Sequence, residues 1–261
     1  MTIKQILDAI EAFSPVQLQD GYDNAGLQVG NTGLEVSAVL VCLDITEEIV
    51  DEAVAKGCNL IVSHHPLIFK ALKKVSDATY QQRCVVKAIK NDITIYSAHT
   101  NLDNAEDGVN YRIASLLGLE NISWLDEKPV TAGRSCGSGI IASLPVPEDA
   151  AEFLMRVKKT FRIESLMHSA IPQKKISRVA ICGGAGGFLL GNAIAAGADC
   201  FLTGELSYHS YFDNDGVLVA AMGHYQSEQF TKDLLCELIR GSFPSVRVEQ
   251  TAISTNPIHY M

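Results

Sequence analysis

The chain has 261 residues, 47% hydrophobic and 20% charged, enough for one large domain or two ordinary ones around a substantial core. Its formal net charge is -9 with no Lys/Arg-rich stretch, which argues against a nucleic-acid-binding footprint. Seven scattered cysteines without a C-x-x-C pair suit reduced thiols in a reducing compartment better than a disulfide framework.

Ile6, Ile10 and Phe13 fall at helical spacing among charges, so the chain opens with an amphipathic helix ending at Ser14-Pro15, not a secretion signal. Residues 18–31, LQDGYDNAGLQVGN, read as loop. SAVLVCLD (37–44) is a buried-type strand, and TEEIVDEAVAKG (46–57) is a helix with a capping box and a closing glycine. CNLIVSHH (58–65) is the next strand, followed by a helix over ATYQQRCVVKAIKND (78–92), a strand over DITIYSAH (92–99) and a helix over NYRIASLLGL (110–119). GSGIIASL (137–144) is a strand. PEDAAEFLMRVKKTF (147–161) is a helix with Pro147 near its first turn. KISRVAIC is a strand, GGAGG a turn and FLLGNAIAAG a helix. DCFLTGE and GVLVAAMGH are strands, and SEQFTKDLLCELIRG (227–241) is the last helix. Strands alternating with helices predict an α/β protein with a substantially parallel sheet, its ligands gathered at the carboxyl ends of the strands. No apolar run approaches the roughly 18 residues that span a bilayer, so a cytoplasmic protein with no membrane contact is expected.

Shifting the chain by 140 positions lays VSAVLVC (36–42) on ISRVAIC (176–182) and AVAKGCNLIVSH (53–64) on AIAAGADCFLTG (193–204). Identities are few, but the apolar pattern matches and the helix-closing glycines coincide at Gly57 and Gly197. Any two strand–helix–strand units share part of this pattern; the other reading is an internal duplication. In that register His64 and His65 lie opposite Gly204 and Glu205. The halves divide as 1–128, with the paired histidines and HTNLD, and 129–261, with GGAGG and GHYxxE.

Adjacent strand residues point to opposite faces, so the doublet in LIVSHHPLIF (60–69) implies filler, a bend, or more than one ion. Five of the seven histidines, His64, His65, His99, His209 and His224, fall at or just after strand ends. A single histidine there is more often a satisfied structural residue; five at equivalent places point to metal chemistry. His224 and Glu228 share a helix face at i and i+4 if the helix has begun by His224. Asp103 follows His99 by four residues in what reads as loop. Together His64, His65, Asp103, His224 and Glu228 give three imidazoles and two carboxylates, a set suited to Zn, Mn or Fe(II). Five side chains exceed the needs of one catalytic ion and suit two divalent ions sharing a carboxylate, with each imidazole of the doublet serving a different ion. Such a pair would supply hydroxide near neutral pH. CGGAGG (182–187) lacks the Gly-Lys-Ser/Thr of a phosphate loop and reads better as a tight strand-to-helix turn.

In order, YDNAGLQVGN, VSHHPLIF, YSAHTNLDNAEDGVN, ICGGAGG, FLTGELSYH and MGHYQSE closely resemble the Nif-three-like (YbgI-like) family, whose members are called GTP cyclohydrolase 1 type 2 homologues. The resemblance covers nearly the whole chain. It implies one family domain of two intertwined α/β halves related by duplication, a toroidal homohexamer, and a dinuclear site. By motif position His64, His65, Asp103, His224 and Glu228 are its ligands, with Glu228 as the bridge and His99 close by. The family's WDN is YDN here, and its aspartate after Leu-Thr-Gly is Glu205; neither change is expected to touch a ligand. The family name implies hydrolytic opening of the guanine imidazole ring of GTP with release of formate, and His99 or His209 would shuttle protons. The substrate expected is thus a small molecule, with a nucleotide as the first candidate. The alternative is a non-catalytic metal-binding protein with an interaction or regulatory role.

Overall fold

Uninterrupted apolar runs become strands buried on both faces, as parallel sheets covered by helices require. The computed structural model describes residues 1–212 and 214–261. The chain divides into two units, residues 1–102 with 231–257 and residues 103–230 with 258–261.

The first unit opens with helix α1 (Ile3–Phe13), whose Ile3, Ile6, Leu7 and Ile10 are buried. Strand β1 (Gly26–Val29) follows, inside the segment expected to be loop. It forms by pairing antiparallel with a strand some seventy residues on, Gly26 opposite Ser97, so local composition did not announce it. Then come β2 (Val39–Cys42), α2 (Glu47–Ala55), β3 (Leu60–Ser63), α3 (Tyr80–Lys90) and β4 (Thr94–Ser97). The hydroxyl of Thr46 caps α2 by accepting from the Ile49 amide at 3.4 Å. HTNLD is not loop: α4 (Thr100–Asp103) is a single helical turn. It starts where Asn101 Oδ1 accepts from the His99 amide at 2.9 Å, and the division between the units falls inside it, after Leu102.

The second unit continues with α5 (Val109–Leu116) and a long antiparallel hairpin, β5 (Glu120–Thr131) and β6 (Arg134–Glu148). The mostly exposed, charged β5 gives no apolar signal, and Pro147 belongs to β6 rather than to the helix after it. That helix, α6 (Ala150–Thr160), starts at Asp149, whose carboxylate accepts from the amides of Ala151 and Glu152. Next are β7 (Met167–His168), β8 (Ile176–Cys182), α7 (Leu190–Ala195), β9 (Cys200–Thr203), β10 (Leu218–Ala221) and α8 (His224–Glu228). The sheet runs β5-β6-β8-β9-β10-β7, with β8, β9 and β10 parallel and the flanking strands antiparallel.

The last helix expected from sequence is two. After α8 comes α9 (Thr231–Ser242), and at the break Gln229 donates to the Phe161 carbonyl at 3.1 Å while Phe230 packs edge-on to Phe161. Helix α9 and strand β11 (Val248–Gln250) belong to the first unit, where β11 completes a five-stranded mixed sheet of order β1-β4-β3-β2-β11.

The internal repeat reaches individual hydrogen bonds. Val39 faces Leu60 and Cys42 faces Ser63 in one sheet; Val179 faces Cys200 and Cys182 faces Thr203 in the other. The Cys58 amide donates to Ala53 at 2.8 Å, and the Ala198 amide to Ala193 at 3.0 Å. The Ser37 amide donates to the Asn59 side chain, and the Ser177 amide to Asp199. Each pair differs by the same 140 positions. Glycines at Gly57 and Gly197, both at positive φ, end the equivalent helices.

All seven cysteines are buried thiols. Among the described residues no helix is long and apolar enough to cross a membrane.

Candidate metal centre

At the end of β3 the chain bends, which frees His64 and His65 from strand alternation. Their successive amides both donate to the Leu43 carbonyl, at 3.2 and 2.9 Å. The Ser63 and Ser97 hydroxyls, 2.8 Å apart, both reach the His65 carbonyl, at 2.9 and 3.3 Å. His99 follows the neighbouring strand β4, and the three rings cluster with centroids 4.9, 5.3 and 5.5 Å apart. One ring nitrogen of each lies within 4.8 Å of the other two.

Every Nδ1 in this cluster meets an oxygen that only accepts. His64 Nδ1 lies 2.8 Å from the Ala98 carbonyl, His65 Nδ1 2.6 Å from Asp44, and His99 Nδ1 2.7 Å from Asp23. Each Nδ1 therefore carries the proton and each Nε2 keeps the lone pair that a metal or a proton takes up. Burial alone would raise the Asp23 carboxyl, but bonds from His99 and Thr100 outweigh it and hold it down at about 2. Burial would likewise raise Asp44, yet it lies below the usual carboxylate range because His65 and Thr255 donate to it.

In the second unit His224 and Glu228 face each other across one turn of α8, His224 Nε2 3.1 Å from a carboxylate oxygen of Glu228. His224 Nδ1 is held by Glu205 at 2.8 Å. Glu205, a departure from the family pattern that falls on no expected ligand position, thus fixes the tautomer of His224. Asp103 closes α4, and its carbonyl accepts from the Asn110 side chain at 3.1 Å.

The glycine turn serves Glu228. Gly184 has φ +57°, and a Cβ there would run into the Glu228 carboxylate. The Gly183 amide donates to Asn110 Oδ1 and the Gly184 amide to Ser227 Oγ, each at 3.0 Å. The Gly183 and Gly184 amides are thus engaged within the protein.

His209 is exposed on a 3-10 turn, its ring edge-on to Tyr208 at 5.5 Å, and is not among the converging donors of the described residues. Missing from the sequence-based ligand list were the orienting carboxylates Asp23, Asp44 and Glu205. Their signal was modest: Asp44 closes SAVLVCLD, Asp23 sits in YDN, and Glu205 follows β9.

The donor chemistry fits divalent metal: imidazoles with fixed tautomers, each backed by an acceptor, and a nearly buried carboxylate, Glu228, beside a fourth imidazole.

A family model described as Duf34/NIF3 (NGG1p interacting factor 3) matches residues 1–257. The chain belongs to the Duf34/NIF3 family. It is 36% identical over 230 residues to a GTP cyclohydrolase 1 type 2 homolog of Clostridium acetobutylicum, covering 87% of this chain and 85% of that one. It is also 36% identical to the homolog of that name from Streptococcus pneumoniae serotype 4, with both chains covered in full. A Bacillus cereus protein related to NIF3 shares the fold with a TM-score of 0.93 at 24% identity, over 100% of this chain and 99% of that one.

Proposed function

We propose that this Duf34/NIF3 chain is a metal-dependent hydrolase of a nucleotide or related small molecule, with the imidazole ring of GTP as its first candidate substrate. The observation that supports it is the set of histidines with Nδ1 pinned and Nε2 presented, His64, His65 and His99 in one unit and His224 beside Glu228 in the other. In this reading His64, His65, Asp103, His224 and Glu228 would hold two divalent ions of Zn, Fe or Mn.

Ions held there would act as Lewis acids and make a water acidic enough to lose a proton near neutral pH. His65, braced by Asp44, and His224, braced by Glu205, present Nε2 in fixed directions, so little ordering entropy is lost on ligation. Asp23 holds His99 by Nδ1, leaving Nε2 to take up a proton and return it to a leaving group. His209, on its exposed turn, is a second candidate for proton traffic. We place the protein in the cytoplasm as a homohexameric ring, which light scattering would show as six chains of 28.2 kDa.

The test is metal analysis of protein purified without added metal, followed by formate release from GTP and a screen of nucleotides and phosphoesters. We expect two ions per chain and turnover that Glu228→Gln abolishes. Metal-replete protein inert toward the whole panel would overturn the hydrolase reading. It would favour a metal-dependent interaction protein, a reading supported by the family's description as an interacting factor.

A further inference from the structure

The geometry points to Tyr22 and Phe69 as a stacking platform that takes a flat aromatic ring, of the nucleobase or fused-heterocycle class, beside His99. This rests on the reading of the histidine cluster as a hydrolytic centre and names the substrate feature that the centre would receive.

Large aromatic side chains are usually buried, yet Tyr22 is 67% and Phe69 43% exposed. The two rings lie edge to face with centroids 6.4 Å apart, and Phe69 stands at 90° to the His99 ring with centroids 6.0 Å apart. The exposed strip thus leads to a histidine of the cluster. Its two segments are tied together. Asn24 Nδ2 donates to the Ile68 carbonyl at 2.6 Å, the Ile68 amide donates to Gln28 Oε1 at 3.1 Å, and Gln28 Nε2 donates back to the Asn24 carbonyl at 2.6 Å. This closed circuit joins residues 24–28 to Ile68, so the neighbours Tyr22 and Phe69 are held out before any ligand arrives. Neither ring contributes a charge or a metal donor. What a pre-ordered, exposed aromatic edge offers is a face for stacking, which is tolerant of substituents and specific for flatness.

The test uses zinc-loaded full-length protein with three probes: guanosine, GTP and inorganic tripolyphosphate. Saturation-transfer NMR should show guanosine ring protons, not only ribose protons, in contact with the protein. Tyr22→Ala and Phe69→Ala should each raise the Kd for guanosine and GTP about tenfold. Tyr22→Phe should restore affinity, tripolyphosphate binding should stay as in wild type, and zinc stoichiometry should not change. Guanosine binding equally well to the Tyr22→Ala/Phe69→Ala double variant, or not at all to wild type, would overturn the platform. So would a changed sedimentation coefficient of the double variant with guanosine affinity intact, because a second copy would then be what covers the rings. Ring binding that needs Tyr22 and Phe69 without turnover of any substrate would sink the hydrolase reading and leave the platform standing. Turnover indifferent to both rings would do the reverse.

Discussion

A histidine presents one nitrogen in a fixed direction only when its other nitrogen is engaged, and His64, His65, His99 and His224 all meet that condition. Outer acceptors of this kind typically change metal affinity by about 10–100-fold. Glu205→Ala should therefore weaken zinc binding by that order in a chelator competition, with Glu205→Gln recovering part of it. Wild-type affinity in the alanine variant would remove Glu205 from the orienting role. Gly184 offers a complementary test. Gly184→Ala sets a Cβ against the Glu228 carboxylate at a positive φ, so denaturant melts should show a loss of about 1–3 kcal/mol. At this scale the imidazoles were legible because type and strand-end placement announce them. Their carboxylate partners were not, since they lie 21, 76 and 19 residues away along the chain.

Between residues and molecule, the repeated strand–helix–strand unit carries its own internal clamp. Asp199 accepts from the Ser177 and Arg178 amides, each at 3.0 Å, and pairs with Lys174 at 3.1 Å, tying the starts of β8 and β9. Burial pushes the Asp199 carboxyl up, but these donors outweigh it and leave it below the usual carboxylate range. A carboxyl depressed in the folded state stabilises above its unfolded value and loses that contribution as pH falls through the folded one. Asp199→Ala should be destabilised in urea at pH 7, and its deficit should shrink as pH falls below about 3.8. A deficit independent of pH would mean that packing, not charge, holds this corner. Asn59 plays the matching part in the first unit without a charge. The parallel strands and their helices were legible from uninterrupted apolar runs and capping residues. Strands β1 and β5 were not, because they owe their conformation to pairing: β1 is rich in glycine context and β5 in charge. The helical turn at HTNLD also escaped notice, yet it follows β4 as α8 follows β10, so Asp103 and Glu228 both come from short helices after the third parallel strand of a repeat.

For the whole molecule, the alternation of strands and helices gave the α/β class, but the path of the chain between units depends on long-range pairing that no local pattern records. Strand β11 lies beside β2, with Val248 opposite Val39. Deleting residues 231–257 would leave the fully buried pattern of β2 as an open edge, a template for aggregation. Such a truncation should express as insoluble protein, and a soluble, cooperatively melting product would refute this dependence. The same late segment supplies Thr255, whose hydroxyl holds Asp44, which in turn holds His65. On a ribosome Asp44 and the paired histidines emerge early, but Thr255, which holds Asp44, arrives almost two hundred residues later, after residues 103–230 of the second unit. A nascent chain would thus hold the Asp44–His65 pair without its outer hydroxyl until synthesis is nearly finished, so the final setting of the His65 ring would be a late event in the birth of the protein.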